Sequence, residues 1–335
     1  MATSVLGVLL ALLAVSTAWP EDYGLIILDS GPRFQYMSSP QGLEVVDLAW
    51  RPSDLLNKIL FNPETDVNIH LYTRKNPKVP QLLILGANNI LSSSNYDPAK
   101  KTVVIAHGWK NTPDDDFNVL LVAAYLQAED INMISVDWST GARASYDIAI
   151  FNNIRTGKYV AKFITWLNSV TGASLDNYHL IGHSLGGQQV GIIGRYVGGE
   201  VAYITALDPA MPGWTLNPFG FKSTDGKYTE VIHTNAGLSG RASALGDVDF
   251  YPNQGFNMPG CSLNPSCNHH RCIFYMAESL VNGGFTGHRC DSMFKLIKKD
   301  CDESDTLPMG GPTAKPGATG IYYLKTNDES PYSQG

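Results

Sequence analysis

Residues Gly182-His183-Ser184-Leu185-Gly186 fit the pattern Gly-x-Ser-x-Gly, and Gly187 follows directly. A serine lifted out of a sheet on a tight strand-to-helix turn needs small neighbours, because the backbone is strained and the next helix packs close. The helix N-terminus behind such a serine favours developing negative charge. The chemistry this arrangement serves is nucleophilic attack on an acyl carbon. That chemistry also needs a base, an acid that orients it, and donors for the oxyanion.

In a nucleophile-elbow hydrolase these partners follow in the order serine, acid, histidine. Of the eight histidines, that order excludes His70, His107, His179 and His183. His233 lies in Val231-Ile232-His233-Thr234, where a satisfied strand histidine is the simpler reading. His269 and His270 sit side by side in Cys267-Asn268-His269-His270-Arg271, in a loop that a disulfide could fix, and spacing alone hardly separates them. Asp208 closes the apolar run Val201–Leu207 and precedes Pro209, so its carboxylate would stand at a strand's C-terminal end. Asp225, Asp247 and Asp249 are its rivals, and surface loop positions are the plainer reading of Asp225 and Asp247. Oxyanion donors would be the Leu185 amide, next to the nucleophile, and the Trp109 amide in His107-Gly108-Trp109. Each such donor stabilises a transition state by roughly 3 kcal/mol.

These residues require a scaffold that ends several strands at one level. Thr65–Tyr72 alternates apolar and polar residues, as a half-buried strand does. Lys101–Ala106 and Ile131–Trp138 read as buried strands, and Asn152–Leu167 carries apolar residues at helical spacing. Tyr178–Gly182 is a short strand, Leu185–Val197 the helix after it, Val201–Leu207 the next strand, and Val231-Ile232 starts another. Met309–Thr319 is a Gly/Pro-rich loop before a last strand at Gly320–Lys325. Strands alternating with helices predict an α/β fold with a mostly parallel sheet covered on both faces.

Composition narrows the class. Of 335 residues, 44% are hydrophobic and 16% charged, a globular balance. The formal net charge of -7 argues against nucleic acid as a partner, since phosphate binding needs clustered Lys and Arg. Residues 1–18 read as a secretory signal: Val5–Val15 is almost unbroken Leu, Val and Ala, too short for a membrane span, and Ser16-Thr17-Ala18 supplies small residues for cleavage. Residues 19–335 then form one domain. The five cysteines (Cys261, Cys267, Cys272, Cys290 and Cys301) all lie in the last quarter. An exported chain meets oxidising conditions, so disulfides are expected, and their spacing does not suit zinc.

The sequence resembles the pancreatic-lipase family of animal lipases and phospholipases A1. The resemblance rests on Ile105-Ala106-His107-Gly108-Trp109, Val136-Asp137-Trp138, Gly182–Gly187, Ala206-Leu207-Asp208-Pro209-Ala210, Val231-Ile232-His233-Thr234, Asp249-Phe250-Tyr251-Pro252-Asn253 and Cys267-Asn268-His269-x-Arg271. These segments occur in the family's order and cover roughly residues 60–330. The resemblance implies an α/β-hydrolase fold, a triad of Ser184, Asp208 and His269, and an oxyanion hole from the Trp109 and Leu185 amides. The larger members' C-terminal β-sandwich has no counterpart here, so no colipase is expected as a partner.

The family's lid is a disulfide-closed loop before the catalytic histidine. The equivalent pair here would be Cys261 and Cys267, with only Ser262-Leu263-Asn264-Pro265-Ser266 between them. Two turns of helix need about seven residues, so this loop is too short to cover the site. Asn235–Val248 is also short and rich in Gly, Ala and Ser. Both reduced loops look like those of the phospholipase A1 branch, with an open rim that would admit a polar headgroup. Cys290 and Cys301 would form the second disulfide, leaving Cys272 unpaired. The family's calcium ligands are not recognisable, apart from a counterpart at Asp225, so no metal or other cofactor is expected. The expectation is a secreted, monomeric serine esterase acting on lipids at a membrane or droplet interface. Phospholipids are its expected substrates, ahead of triacylglycerols or galactolipids. A lipid-binding or yolk-type storage protein is the alternative of another class.

Overall fold

The computed structural model describes residues 32–49 and 60–335. The expected signal segment lies outside them. A hairpin of β1 (Phe34–Ser39) and β2 (Gly42–Asp47) stands apart from the main sheet. The sheet holds β3 (Asn68–Tyr72), β4 (Gln81–Leu83), β5 (Thr102–Ala106), β6 (Asn132–Asp137), β7 (Tyr178–His183), β8 (Tyr203–Leu207), β9 (Thr229–Ile232), β10 (Val248–Pro252), β11 (Thr286–Cys290), β12 (Asp302–Pro308) and β13 (Gly320–Leu324). Their order across the sheet is β12-β11-β13-β10-β9-β8-β7-β5-β6-β3-β4. From β13 to β6 all neighbours are parallel, and antiparallel strands close both edges.

Four principal helices cover the sheet: α1 (Asp116–Ala128), α2 (Tyr146–Thr171), α3 (Leu185–Tyr196) and α4 (Pro265–Val281). The central strands are apolar on both faces, which is why they read as continuous runs. Val104, Ala106, Leu180 and Ile204 point to the layer of α2 and α3, where Ile164, Leu167, Val190 and Ile193 meet them. Val103, Ile105, Ile181 and Leu207 point to the layer of α1 and α4, against Phe117, Leu121, Ile273 and Met276. Each of the buried Val, Leu, Ile, Phe and Met side chains among these contributes about 1.5–3 kcal/mol of burial free energy, so the strand ends are held by two packed layers.

Two differences from the sequence reading have local causes. The strand read at Thr65–Tyr72 starts only at Asn68, because Pro63–Asp66 forms a helical turn capped by the Asn62 side chain, which accepts from the Glu64 amide. His269 is not in a loop. Asn264 caps α4 by accepting from the Ser266 and Cys267 amides, and Pro265 opens the helix, so Cys267, His269 and His270 all lie in its first turns. The chain carries disulfides Cys261–Cys267 and Cys290–Cys301, and Cys272 is free and buried.

Candidate active site

Three adjacent parallel strands end together. Ala106, Gly182 and Ala206 are in register across β5, β7 and β8, and so are His183 and Leu207. The next residues are the His107-Gly108-Trp109 loop after β5, Ser184 after β7 and Asp208 after β8. Open parallel sheets bind ligands at this C-terminal edge.

Ser184 sits at the N-cap of α3 with φ 59 and ψ -118, in a region that costs a non-glycine residue about 1–3 kcal/mol. The glycines around it make the turn possible. A Cβ on Gly182 would lie 1.9 Å from the Gly186 carbonyl oxygen, and one on Gly186 would lie 1.9 Å from that of Ala106. The Ser184 amide donates to the Leu207 carbonyl at 3.0 Å, tying the elbow to β8. A Cβ on Gly108 would come within 3.0 Å of the Ser184 Cβ, so the loop bearing Trp109 lies directly against the serine. The Trp109 indole is fixed by donating to the Ala144 carbonyl at 2.9 Å and by edge contact with Tyr146. Leu185 is the first residue of α3, where an amide has no intrahelical acceptor.

Asp208 is fully buried. Its Oδ1 accepts from the Thr234 and Asn235 amides at 2.8 and 3.0 Å, and its Oδ2 is 2.5 Å from His269 Nδ1. A Cβ on Gly240 would fall 2.3–2.5 Å from the carboxylate, so the loop after His233 closes over the acid as tightly as a glycine allows. With Nδ1–H donating to Asp208, His269 Nε2 carries the lone pair. His269 Nε2 and Ser184 Oγ are both buried and without a hydrogen-bond partner.

The structure separates the alternatives left by spacing. His270 turns away and its Nδ1–H donates to the Ser266 carbonyl at 2.7 Å, within its own helix. His233 is bonded on both nitrogens, to the Arg241 carbonyl at 2.7 Å and to Asp249 at 2.8 Å, and stacks on Tyr251. Asp249 is thereby committed to another histidine. Asp247 holds the Thr229 amide and hydroxyl. Asp225 is not a surface residue: it is fully buried and paired with Arg195 of α3, and burial raises its carboxyl above the usual range. The Cys261–Cys267 loop is as short as expected, and Ser184 Oγ and His269 Nε2 lie buried.

Chain order concealed one residue. His183, beside Ser184, is buried and its Nε2–H donates to the His269 backbone carbonyl at 2.9 Å, with the two rings 4.6 Å apart. Burial, reinforced by the neighbouring His269 and His270, holds its pKa well below the ordinary histidine value, so the ring stays neutral. It positions the turn of α4 that carries His269.

A mostly parallel sheet with a strained serine between strand and helix at its C-terminal edge defines an α/β-hydrolase fold. The chain belongs to the lipase family: residues 51–332 match the family described as Lipase. It is 32% identical to pancreatic triacylglycerol lipase of Mus musculus over 322 residues, covering 86% of this chain and 67% of that protein. Identity to the Homo sapiens pancreatic triacylglycerol lipase is 32% over 323 residues, again 86% of this chain and 67% of that protein. Pancreatic lipase-related protein 2 of Rattus norvegicus is 33% identical over 279 residues, 75% of this chain and 58% of that protein.

Proposed function

We propose that this protein is a serine esterase that hydrolyses acyl ester bonds of glycerolipids, with phospholipids as its preferred class. The observation that carries the reading is the buried Asp208–His269 bond of 2.5 Å, together with an elbow serine whose hydroxyl, like His269 Nε2, is buried without a hydrogen-bond partner. Membership of the lipase family supports carboxylic ester hydrolysis. In the proposed reaction His269 Nε2 takes the Ser184 proton as Oγ attacks the acyl carbon. Asp208 keeps the imidazole in the required tautomer and stabilises the imidazolium, and the Trp109 and Leu185 amides hold the oxyanion. Collapse of the tetrahedral intermediate gives an acyl-enzyme, which water activated by His269 then hydrolyses.

The phospholipid preference rests on the short disulfide loop: two of its five intervening residues, Pro265 and Ser266, already belong to the first turn of α4, which leaves no room in it for a lid helix that would exclude a polar headgroup. The two disulfides suit an oxidising compartment, so we place the protein outside the cell. Among the described residues no helix is long and apolar enough to cross a membrane.

A lipid-class panel on the purified protein tests the reading. Phosphatidylcholine, tributyrin and galactolipid would be compared, with fluorophosphonate labelling mapped by mass spectrometry. Labelling at Ser184 that Ser184→Ala removes is the expected result. Strong preference for triacylglycerol would overturn the phospholipid reading, and no labelling together with lipid binding would favour a storage or carrier role.

A further inference from the structure

The β1–β2 hairpin is tied to all three parts of the site. Glu44 pairs with Lys110, next to Trp109, at 2.6–2.8 Å. The Ser38 amide and hydroxyl bond the Ser239 hydroxyl at 3.1 and 2.8 Å, beside the Gly240 that closes over Asp208. The Ser39 carbonyl accepts from Ser266 at 3.3 Å, in the first turn of the helix carrying His269. A hairpin bonded to the loop after β5, the loop after β9 and the start of α4 spans the rim of the C-terminal edge, and the Ser184 hydroxyl beneath that rim is buried.

Register divides the hairpin into two faces, because Tyr36 pairs with Val45 and Met37 with Glu44. Met37 and Val46 turn inward, are buried, and join the apolar cluster that contains Trp109 and Leu185. Phe34, Tyr36, Leu43 and Val45 fall on the opposite face and are 59%, 52%, 41% and 62% exposed. Leu263, three residues before the Ser266 tether, is 78% exposed. A two-stranded hairpin is marginal in water on its own, and a contiguous apolar face on a soluble protein marks a surface that meets something apolar.

We propose that the β1–β2 hairpin is the lid of this enzyme, and that its outer face docks on the surface of an aggregated lipid and is drawn off the serine as it does so. The occupant is a lipid surface because the face is continuous with the site's rim, and its one acidic side chain, Asp47 opposite Phe34, is neutralised by Arg33 at 2.8 Å. The proposal rests on the lipid-esterase reading above, and its test separates the two.

Two variants of the full chain test it. Phe34→Ser/Val45→Ser changes only exposed positions. Ser38→Cys/Ser239→Cys exploits hydroxyls 2.8 Å apart, within reach of a disulfide that staples the hairpin shut. The serine variant is expected to float with phosphatidylcholine vesicles at least tenfold more weakly than wild type, with equal hydrolysis of soluble p-nitrophenyl butyrate. The oxidised staple is expected to lose at least tenfold of vesicle hydrolysis and to regain it on mild reduction, relative to wild type in the same reductant. Unchanged vesicle binding by the serine variant, a fully active oxidised staple, or a lipid-free dimer broken by Phe34→Ser/Val45→Ser would each overturn the lid. Vesicle binding that the serine variant weakens, without any ester hydrolysis by wild type, would leave the docking face standing and remove the esterase reading.

Discussion

Asp208→Asn probes the proposed site through its hydrogen-bond arithmetic. Oδ1 accepts two backbone amides and Oδ2 faces His269 Nδ1. An asparagine offers one acceptor end and one donor end. If its NH2 faced Thr234 and Asn235, two buried backbone donors would lose their acceptor, at about 1–3 kcal/mol each. The amide oxygen therefore stays with those two amides, and the NH2 turns to His269. Nδ1 must then accept, which moves the ring proton to Nε2, the atom that has to receive the serine proton. Replacing a triad carboxylate in this way costs about 10⁴ in kcat, or about 5 kcal/mol of transition-state stabilisation. Folding loses one charge-assisted bond, of the order of 2 kcal/mol. Turnover of phosphatidylcholine vesicles and tributyrin, with Tm measured alongside, is the assay. A variant with near-native Tm and a kcat within tenfold of wild type would refute the assigned roles.

Gly240→Ala drives a Cβ to within 2.3–2.5 Å of the same carboxylate, so kcat should fall at least tenfold and Tm should drop, whereas native values would show that the loop yields freely. Burial holds His107 down at about 4, below the 6.5 of an unfolded histidine. The unfolded chain therefore binds a proton that the folded one does not. This contribution is complete above about pH 6.5 and shrinks as pH falls toward 4, by about 2 kcal/mol at pH 5. His183 is shifted in the same direction, so urea midpoints should fall from pH 7 to pH 5, and equal midpoints would contradict it. Lys315→Ala strips the buried Glu230 carboxylate of its ammonium partner, leaving the Tyr228 hydroxyl and Gly310 amide as its donors. A loss of about 3 kcal/mol is expected, read by calorimetry, and Glu230→Gln in the same chain should recover part of it.

What the sequence disclosed followed from local rules. Ser184, Asp208 and Trp109 each follow a buried apolar strand at a turn with glycine or proline, and that signal needs no knowledge of tertiary contacts. The helix bearing His269 was obscured because it begins inside a disulfide loop, although Asn264-Pro265 is a cap followed by a first-position proline. Asp225 looked like a surface residue because its partner, Arg195, lies thirty residues away on the last turn of α3. The hairpin gave little sign of itself. Its outer apolar face breaks the usual rule of polar outside and apolar inside, so alternation could not reveal which face packs. The role of His183 was hidden for a related reason: it depends on where α4 lands, and only the assembled fold brings the His269 carbonyl within 2.9 Å.

The arrangement divides the work of holding a site from the work of opening it. His269 is fixed at its ring by Asp208 and at its backbone by His183, and Asp208 is fixed by two amides and a close-packed glycine. Ser184 is fixed by a strained backbone that three neighbouring close approaches over-determine. Ser184 Oγ and His269 Nε2, between which the proton must pass in the proposed reaction, are both buried without a hydrogen-bond partner. Nothing in this core needs rebuilding for catalysis, so the element that moves should be one bound by few and separable contacts. The hairpin fits that description: one ion pair, to Lys110, and three hydrogen bonds, to Ser239 and Ser266, tie it to separate parts of the rim. An apolar surface able to cover Phe34, Tyr36, Leu43 and Val45 would offset their loss at about 25 cal/mol per Å² buried, so that under the proposed lid the lipid itself would expose the serine.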